Sequence, residues 1–298
     1  MLPASARALL TGVVDYAGLF PPAGLTMDAA VAEFAAARLG ADAWLLGRFV
    51  CPATRLAELA RTLQTSPVPG LQVSAIVRDR SAEDEASVAR FNATSSVHGG
   101  RVDSIESKPA DEHGIDWLAQ TFPAMAEVYV EIAPGPSMGP MIARVGARGL
   151  RAKVRTGGVT FDAFPSPSAL TAFLATVVGH GVPFKATAGL HHAVRGRYRL
   201  TYEDDAASAP MYGYLNVLLA VAALHQGRPP AVADAILQAS DSSTLTFTDD
   251  AVRWGDETFP LSVLHAARAR HLVSFGSCSF REPAGELHAV TAATRTRS

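Results

Sequence analysis

Along most of this chain, short runs rich in β-branched and aromatic residues alternate with longer stretches of helical periodicity. That alternation constrains the fold more than any other feature. Strand–helix–strand units joined by short links set the strands parallel, with the helices packed outside them. Residues 13–16, 43–50, 71–77, 101–106, 126–132, 149–154, 182–187 and 271–275 read as eight strands. Helices fit 27–39, 53–63, 82–91 and 166–178; in the first, Thr26 caps the start and Ala29, Val31, Phe34 and Ala35 lie mostly along one face. Eight such strands predict a single closed (β/α)8 barrel over residues 1–290, followed by a polar tail over 291–298. An open doubly wound sheet is the alternative, but no Gly-rich dinucleotide fingerprint follows the first strand.

One stretch breaks the rhythm. Between the seventh and eighth strands lie roughly eighty residues, where a barrel commonly spends about thirty. The insertion, about 200–265, holds a helix over 212–225, a second over 231–238 and a hairpin. In the hairpin, Leu245 and Phe247 face Val252 and Trp254 across Asp249-Asp250. Emerging at the C-terminal face of the barrel, this segment would act as a lid.

Composition narrows the partners. Of 298 residues, 48% are hydrophobic and 18% charged, and the net charge is −2, so neither nucleic acid nor an anionic membrane surface is expected to bind. Residues 1–12 are too short for a secretory leader, and the longest apolar run, 215–224, is about half a membrane span. The two cysteines, Cys51 and Cys278, share no metal-ligand spacing. The expectation is a soluble cytoplasmic protein without a metal or cofactor, with a homo-oligomeric state left open.

In barrels of this kind the active site sits at the C-terminal strand ends. Those ends carry Asp15, Arg48, Arg78, the run from Asp103 to Lys108, Glu131, Lys153 with Arg155, Lys185 with His191 and His192, and the run from Ser277 to Ser279. Lys153 and Lys185 stand inside apolar runs on successive strands, where alternation sets them beside Arg155 and Thr187 respectively. Facing inward, two such amines would lower each other's pKa, and a neutral lysine amine is the nucleophile of Schiff-base chemistry. Facing outward, they would snorkel or pair with carboxylates. Arg48 and Arg78 suit either substrate anions or ion pairs with Asp15 and Glu131.

At this point the residues resemble a known family. Lys153-Val154-Arg155-Thr156-Gly157-Gly158, then Phe184-Lys185-Ala186-Thr187-Ala188-Gly189, is similar to the sixth- and seventh-strand motifs of deoxyribose-phosphate aldolases. Phe275-Gly276-Ser277-Cys278-Ser279 looks like that family's last-strand phosphate loop, Val14-Asp15-Tyr16 like its first strand, and Val102-Asp103 like its fourth-strand aspartate motif. The chain looks like a divergent member with an insertion before the last strand. The resemblance implies a class I aldolase of carbohydrate metabolism: Lys153 forms the imine with a small carbonyl substrate, Lys185 tunes it, and Asp103 is the acid/base. From the strand ends and these motifs together, substrate contacts are expected at Asp15, Arg48, Arg155, Thr156, Gly157, Gly189, His191, Gly276, Ser277 and Ser279. A one-residue slip in the fourth strand would point Glu106 inward in place of Asp103.

Two departures bear on the substrate. Gly158 stands where the family carries a phosphate-binding lysine, and Ala188-Gly189 with His191-His192 replaces a Gly-Gly and Arg loop. Arg155 is an addition, and a guanidinium suits a planar carboxylate. A substrate other than deoxyribose phosphate is therefore expected. Three alternatives remain beside the aldolase: an imine-based decarboxylase, dehydratase or cyclase; a metal-dependent lyase or isomerase using His191 or His192 with Glu131 or Glu106; and a lapsed barrel that only binds.

Overall fold

Eight parallel strands close on themselves in a computed structural model that describes residues 2–295. They are β1 (Val14–Tyr16), β2 (Leu46–Pro52), β3 (Leu71–Val77), β4 (Gly100–Ser107), β5 (Glu127–Glu131), β6 (Arg151–Arg155), β7 (Phe184–Thr187) and, late in the chain, β13 (Leu272–Ser277). Each pairs with its sequence neighbour, and β13 closes the ring between β7 and β1. The fold is thus the (β/α)8 barrel.

Helix α1 (Ala4–Leu10) precedes the barrel; α2 (Met27–Leu39), α3 (Leu56–Thr65), α4 (Ala82–Thr94), α5 (Glu112–Thr121), α6 (Met138–Ala147) and α7 (Pro167–Gly179) form the outer ring. Their starts are local chemistry. The hydroxyls of Thr26, Ser81 and Ser166 and the carboxylate of Asp111 each accept a backbone N–H in the first turn of α2, α4, α7 and α5. Pro167 follows Ser166 where a missing N–H costs nothing. The end of α7 turns on Gly181, whose φ of 64° is the left-handed conformation that lets the chain reverse into β7. Among the described residues, the helical stretch Phe161–Gly179 has the length and apolar composition to cross a membrane; here Leu170, Phe173, Leu174 and Val177 of α7 are buried in the core.

Strand faces divide the molecule. Val73, Ala75, Ile105, Val128, Val130, Ala152, Val154 and Ala186 belong to the apolar core between strands and helices. The opposite faces, turned into the barrel, carry Asp15, Arg48, Ser74, Ser104, Glu106, Lys153, Lys185 and Ser274, all joined in one set of hydrogen bonds and ion pairs. A barrel interior filled this way is held by paired charges rather than by branched apolar layers.

After β7 the chain forms a hairpin that the sequence did not announce, β8 (Gly196–Arg199) with β9 (Ser208–Met211). Helix α8 (Tyr214–His225) follows; it is buried on every side from Tyr214 to Ala223, packed among α7, β13, α9 (Pro230–Gln238) and α10 (Leu261–Arg270). Buried Asn216 ties this region together. Its amide donates to the carbonyls of Ile236 and Ala239, and its oxygen accepts the N–H of Arg195. The expected hairpin forms in the expected register, Leu245 opposite Trp254 and Phe247 opposite Val252, as β10 (Leu245–Phe247) and β11 (Ala251–Trp254). A third strand, β12 (Glu257–Pro260), extends it. This sheet packs against α1, α10 and α11 (Arg281–Arg295), so it does not line the C-terminal mouth; the hairpin of β8 and β9 does. Residues 291–295, expected in the polar tail, are the last turn of α11, while 296–298 lie outside the described residues.

Candidate functional site

At the C-terminal end of the barrel a cavity of about 470 Å³ opens, and Glu106, Lys153 and Lys185 stand at its floor. Alternation along β6 and β7 turns both lysines inward, and the register sets them side by side, Lys153 opposite Lys185. Glu106 lies between them. One of its oxygens is 2.6 Å from Lys185 Nζ and the other 2.8 Å from Lys153 Nζ. Each lysine has a second carboxylate: Asp15 at 2.5 Å from Lys185, and Glu131 at 3.1 Å from Lys153. Ser74 donates to Glu106 and Ser274 to Asp15, while Lys185 also lies 5.2 Å from the Tyr129 ring centre.

Burial acts against charge on Glu106, but Lys153 and Lys185 outweigh it and hold the carboxyl well below the usual carboxylate range. Burial would likewise lower Lys185, yet Asp15 and Glu106 prevail and keep its ammonium above its ordinary pKa. The expectation that the two lysines depress each other is therefore corrected for Lys185. Carboxylates stand between and beside the amines, so Lys185 is a fixed cation.

Asp103 is not part of this cluster. A β-bulge in β4 shifts the register, so that Val73 pairs with Val102 but Ser74 pairs with Ser104. Asp103 then faces the N-terminal end of the barrel, bonded to Arg48 at 2.8 Å and to Gln72, and Arg48 also pairs with Glu127. Arg48 thus belongs to a bottom layer that Arg151 completes through Glu127, at the opposite end from the cavity. Among the described residues, its hydrogen bond to the upper cluster is from its backbone N–H, donated to Asp15. Arg78 pairs with Asp84 and Glu83 at the start of α4.

The remaining expected contacts divide in two. Arg155, Gly189, His191 and Gly276 line the cavity, together with Thr187 and Gly158. Thr156, Gly157, Ser277 and Ser279 do not. The Thr156 hydroxyl donates to the Ala188 carbonyl, clipping the β6 and β7 loops together. Gly157 is required by the Phe164 ring: a Cβ there would stand 2.5 Å from it. Ser277 donates to the Ser279 carbonyl at 2.6 Å and so accepts from His191 Nδ1 at 3.0 Å, which leaves His191 Nε2 as an acceptor. Burial, and then neighbouring His192, push His191 down to about 4.

His192 stacks on Tyr198 and bonds Glu286, so the two histidines serve different partners. Among the described residues, no group of three or more His, Cys, Asp or Glu side chains is arranged to hold a metal ion. Cys278 lies 3.6 Å from the Tyr202 hydroxyl, and burial raises its thiol pKa, the opposite of an activated nucleophile. The mouth contacts from Tyr198, Leu200, Tyr202, Met211 and Glu282 were missed because they come from the unannounced hairpin and the start of α11. A signal was present in Tyr198 and Tyr202, aromatic residues standing in an otherwise polar stretch.

No protein-family model matches this chain, and no curated protein matches it significantly. Among solved structures it is similar to the dihydropteroate synthase of Xanthomonas albilineans, solved with 4-aminobenzoic acid, at 14% sequence identity and a TM-score of 0.38. That similarity covers 97% of this chain and 94% of the other. So remote a likeness carries nothing about the site.

Proposed function

We propose that this chain is an enzyme, a Schiff-base-forming lyase of the aldolase type acting on a small carbonyl compound other than deoxyribose phosphate. The observation that carries the reading is Lys153 at the floor of the cavity, held between Glu106 and Glu131 with the fixed cation Lys185 across Glu106. Two lysines at matched positions on β6 and β7, with Asp15 on β1, also agree with the resemblance to deoxyribose-phosphate aldolases. The acid/base assigned by that resemblance to Asp103 passes to Glu106.

In the proposed reaction the Lys153 ammonium passes one proton to an adjacent carboxylate, the freed amine adds to the substrate carbonyl carbon, and that proton leaves with the carbinolamine oxygen as water to give a protonated imine. The positive charge stays on the same nitrogen, between the same two carboxylates, so the buried network keeps its balance. The hydroxyl two carbons from the imine carbon then loses its proton, through water, toward Glu106. As that oxygen becomes a carbonyl, the adjacent carbon–carbon bond breaks and its electron pair passes to the iminium nitrogen, forming an enamine. Protonation of the enamine carbon and addition of water release the second fragment and restore Lys153. Lys185, clamped by Asp15 and Glu106, holds Glu106 ionised and in place as a positioning residue.

Borohydride reduction in the presence of acetaldehyde, acetone or dihydroxyacetone tests this, with peptide mass mapping as the readout. The expected result is one stable adduct on the peptide carrying Lys153, absent in Lys153→Met. Adducts spread over surface lysines, or none at Lys153, would overturn it.

A further inference from the structure

We infer that the carbonyl compound taken at Lys153 is a 2-oxo acid whose carboxylate is held by Arg155, which makes Arg155 the residue that sets substrate class. This rests on the imine reading above and goes beyond it. Arg155 follows Lys153 by two positions on β6, so it shares the inward face about 6.6 Å nearer the mouth. Both side chains line the cavity. The other charged side chains at its floor are engaged: Glu106 by both lysines, Lys153 by Glu106 and Glu131, Lys185 by Glu106 and Asp15. No ion pair or side-chain hydrogen bond is found for the Arg155 guanidinium among the described residues, which leaves its donors open to a ligand.

The spacing selects the position of the anion. From an imine nitrogen at Lys153, one bond reaches C2, about 1.5 Å more reaches a carboxylate carbon, and a charge-assisted hydrogen bond adds about 2.8 Å. Together with the C–O bond the path is at most roughly 7 Å, the same scale as the two-residue step between the positions that carry the two side chains. A carboxylate next to the carbonyl is therefore within reach of a guanidinium on the same wall of the cavity while C2 is held at Lys153.

Charge points the same way. At the floor Asp15, Glu106 and Glu131 surround the buried Lys153 and Lys185, and the exposed Lys108 lies 3.8 Å from Glu131, so the floor lysines are all taken by carboxylates and a substrate anion needs a further cation above them. Of the two arginines that line the cavity, Arg199 lies 3.5 Å from Asp204, so Arg155 is that cation, and its planar fork suits a carboxylate. A phosphate is the poorer occupant. Gly158 carries no side chain, and a Cβ there would stand 2.7 Å from Ala163 Cβ and 3.6 Å from the Arg155 guanidinium, so no second cation is supplied at that position. The glycines of the β6 and β7 loops are covered instead. The Phe164 ring sits over Gly157 and Gly189, packed with the hairpin residues Leu200 and Met211.

The test compares pyruvate, its methyl ester and acetaldehyde as borohydride-trapped probes in the wild-type protein and in Arg155→Gln. The ester is the stronger electrophile, so a preference for the acid reports recognition of charge. Wild type is expected to trap pyruvate at Lys153 in preference to the ester. Arg155→Gln should lower pyruvate trapping on the order of tenfold to a hundredfold, leave acetaldehyde trapping largely unchanged, and be partly rescued by Arg155→Lys. Equal trapping of acid and ester in wild type, or an equal loss of pyruvate and acetaldehyde adducts in Arg155→Gln, would overturn the carboxylate inference while leaving the imine intact. If none of the three probes marks Lys153, the imine reading falls and takes this inference with it.

Discussion

Replacing Glu106 with glutamine tests the bridging carboxylate most directly, because the amide keeps the shape and removes the charge. Glu106 accepts from Lys185 at 2.6 Å, from Ser74 at 2.8 Å, and pairs with Lys153 at 2.8 Å. Breaking a buried ion pair by removing one partner costs about 3–5 kcal/mol, since the other charge is left uncompensated. Here each lysine retains a second carboxylate, Asp15 or Glu131, so the lower end applies, about 3 kcal/mol. For a chain of this length that corresponds to a fall in melting temperature of roughly 5 °C.

The same substitution has a pH signature. The Glu106 carboxyl is held well below its ordinary range in the folded protein, so its contribution is present above the unfolded carboxylate pKa and is lost as pH falls toward the folded value. In urea titrations the gap between wild type and Glu106→Gln should be constant from about pH 7 to pH 5. It should then shrink by about 1.4 kcal/mol per pH unit below about pH 4. Adding Lys185→Met to the variant should cost less than the two single losses together, with a coupling of about 1–3 kcal/mol. Equal stability at pH 7, a gap that does not close in acid, or strict additivity would each refute the idea that Glu106 holds the two lysines together.

Two other outcomes follow from placement and burial. Asp103→Asn should lower stability by roughly 1–3 kcal/mol through Arg48 and Gln72. It should change adduct formation at Lys153 by less than about twofold, as befits a distant site; a folded variant that no longer forms the adduct would return Asp103 to the chemistry. His191 and His271 are both pushed down to about 4, by burial first and then by His192 and His225 respectively. Each resists protonation when folded but not when unfolded, so each withdraws about 2 kcal/mol as pH falls from 6.5 to 5. Urea midpoints that stay level between pH 7 and pH 5 would contradict this, and His271→Gln should flatten its share of the slope.

The barrel was legible because its signals are local. Capping residues, glycine ends and period-two strands lie within a few positions of one another, and β3 and α2 emerge with the bounds their patterns gave. Insertions are harder to read. The expected hairpin formed with its predicted pairs, but which end of the barrel it covers depends on packing against α1 and α11, contacts separated by the length of the chain. The hairpin that does line the mouth has strands of four residues each, with Pro210 in one and Gly196 opening the other. Neither strand shows the apolar alternation that marks a strand from sequence.

The fourth strand shows where strict alternation fails. Parity treats Asp103 and Glu106 as exclusive, since residues three apart on a regular strand point to opposite faces. The bulge in β4 adds one residue to that count, so both carboxylates turn inward, at different heights. Asp103 meets Arg48 in the bottom layer, and Glu106 meets the two lysines three positions nearer the mouth. The bulge is therefore what allows one strand to supply a carboxylate both to the plug that closes the barrel and to the cluster beneath the cavity. The pairing of both lysines with carboxylates, which read as the bland alternative to chemistry, is consistent with the proposed mechanism. A lysine that must carry a positive imine in a buried site needs those carboxylates already in place.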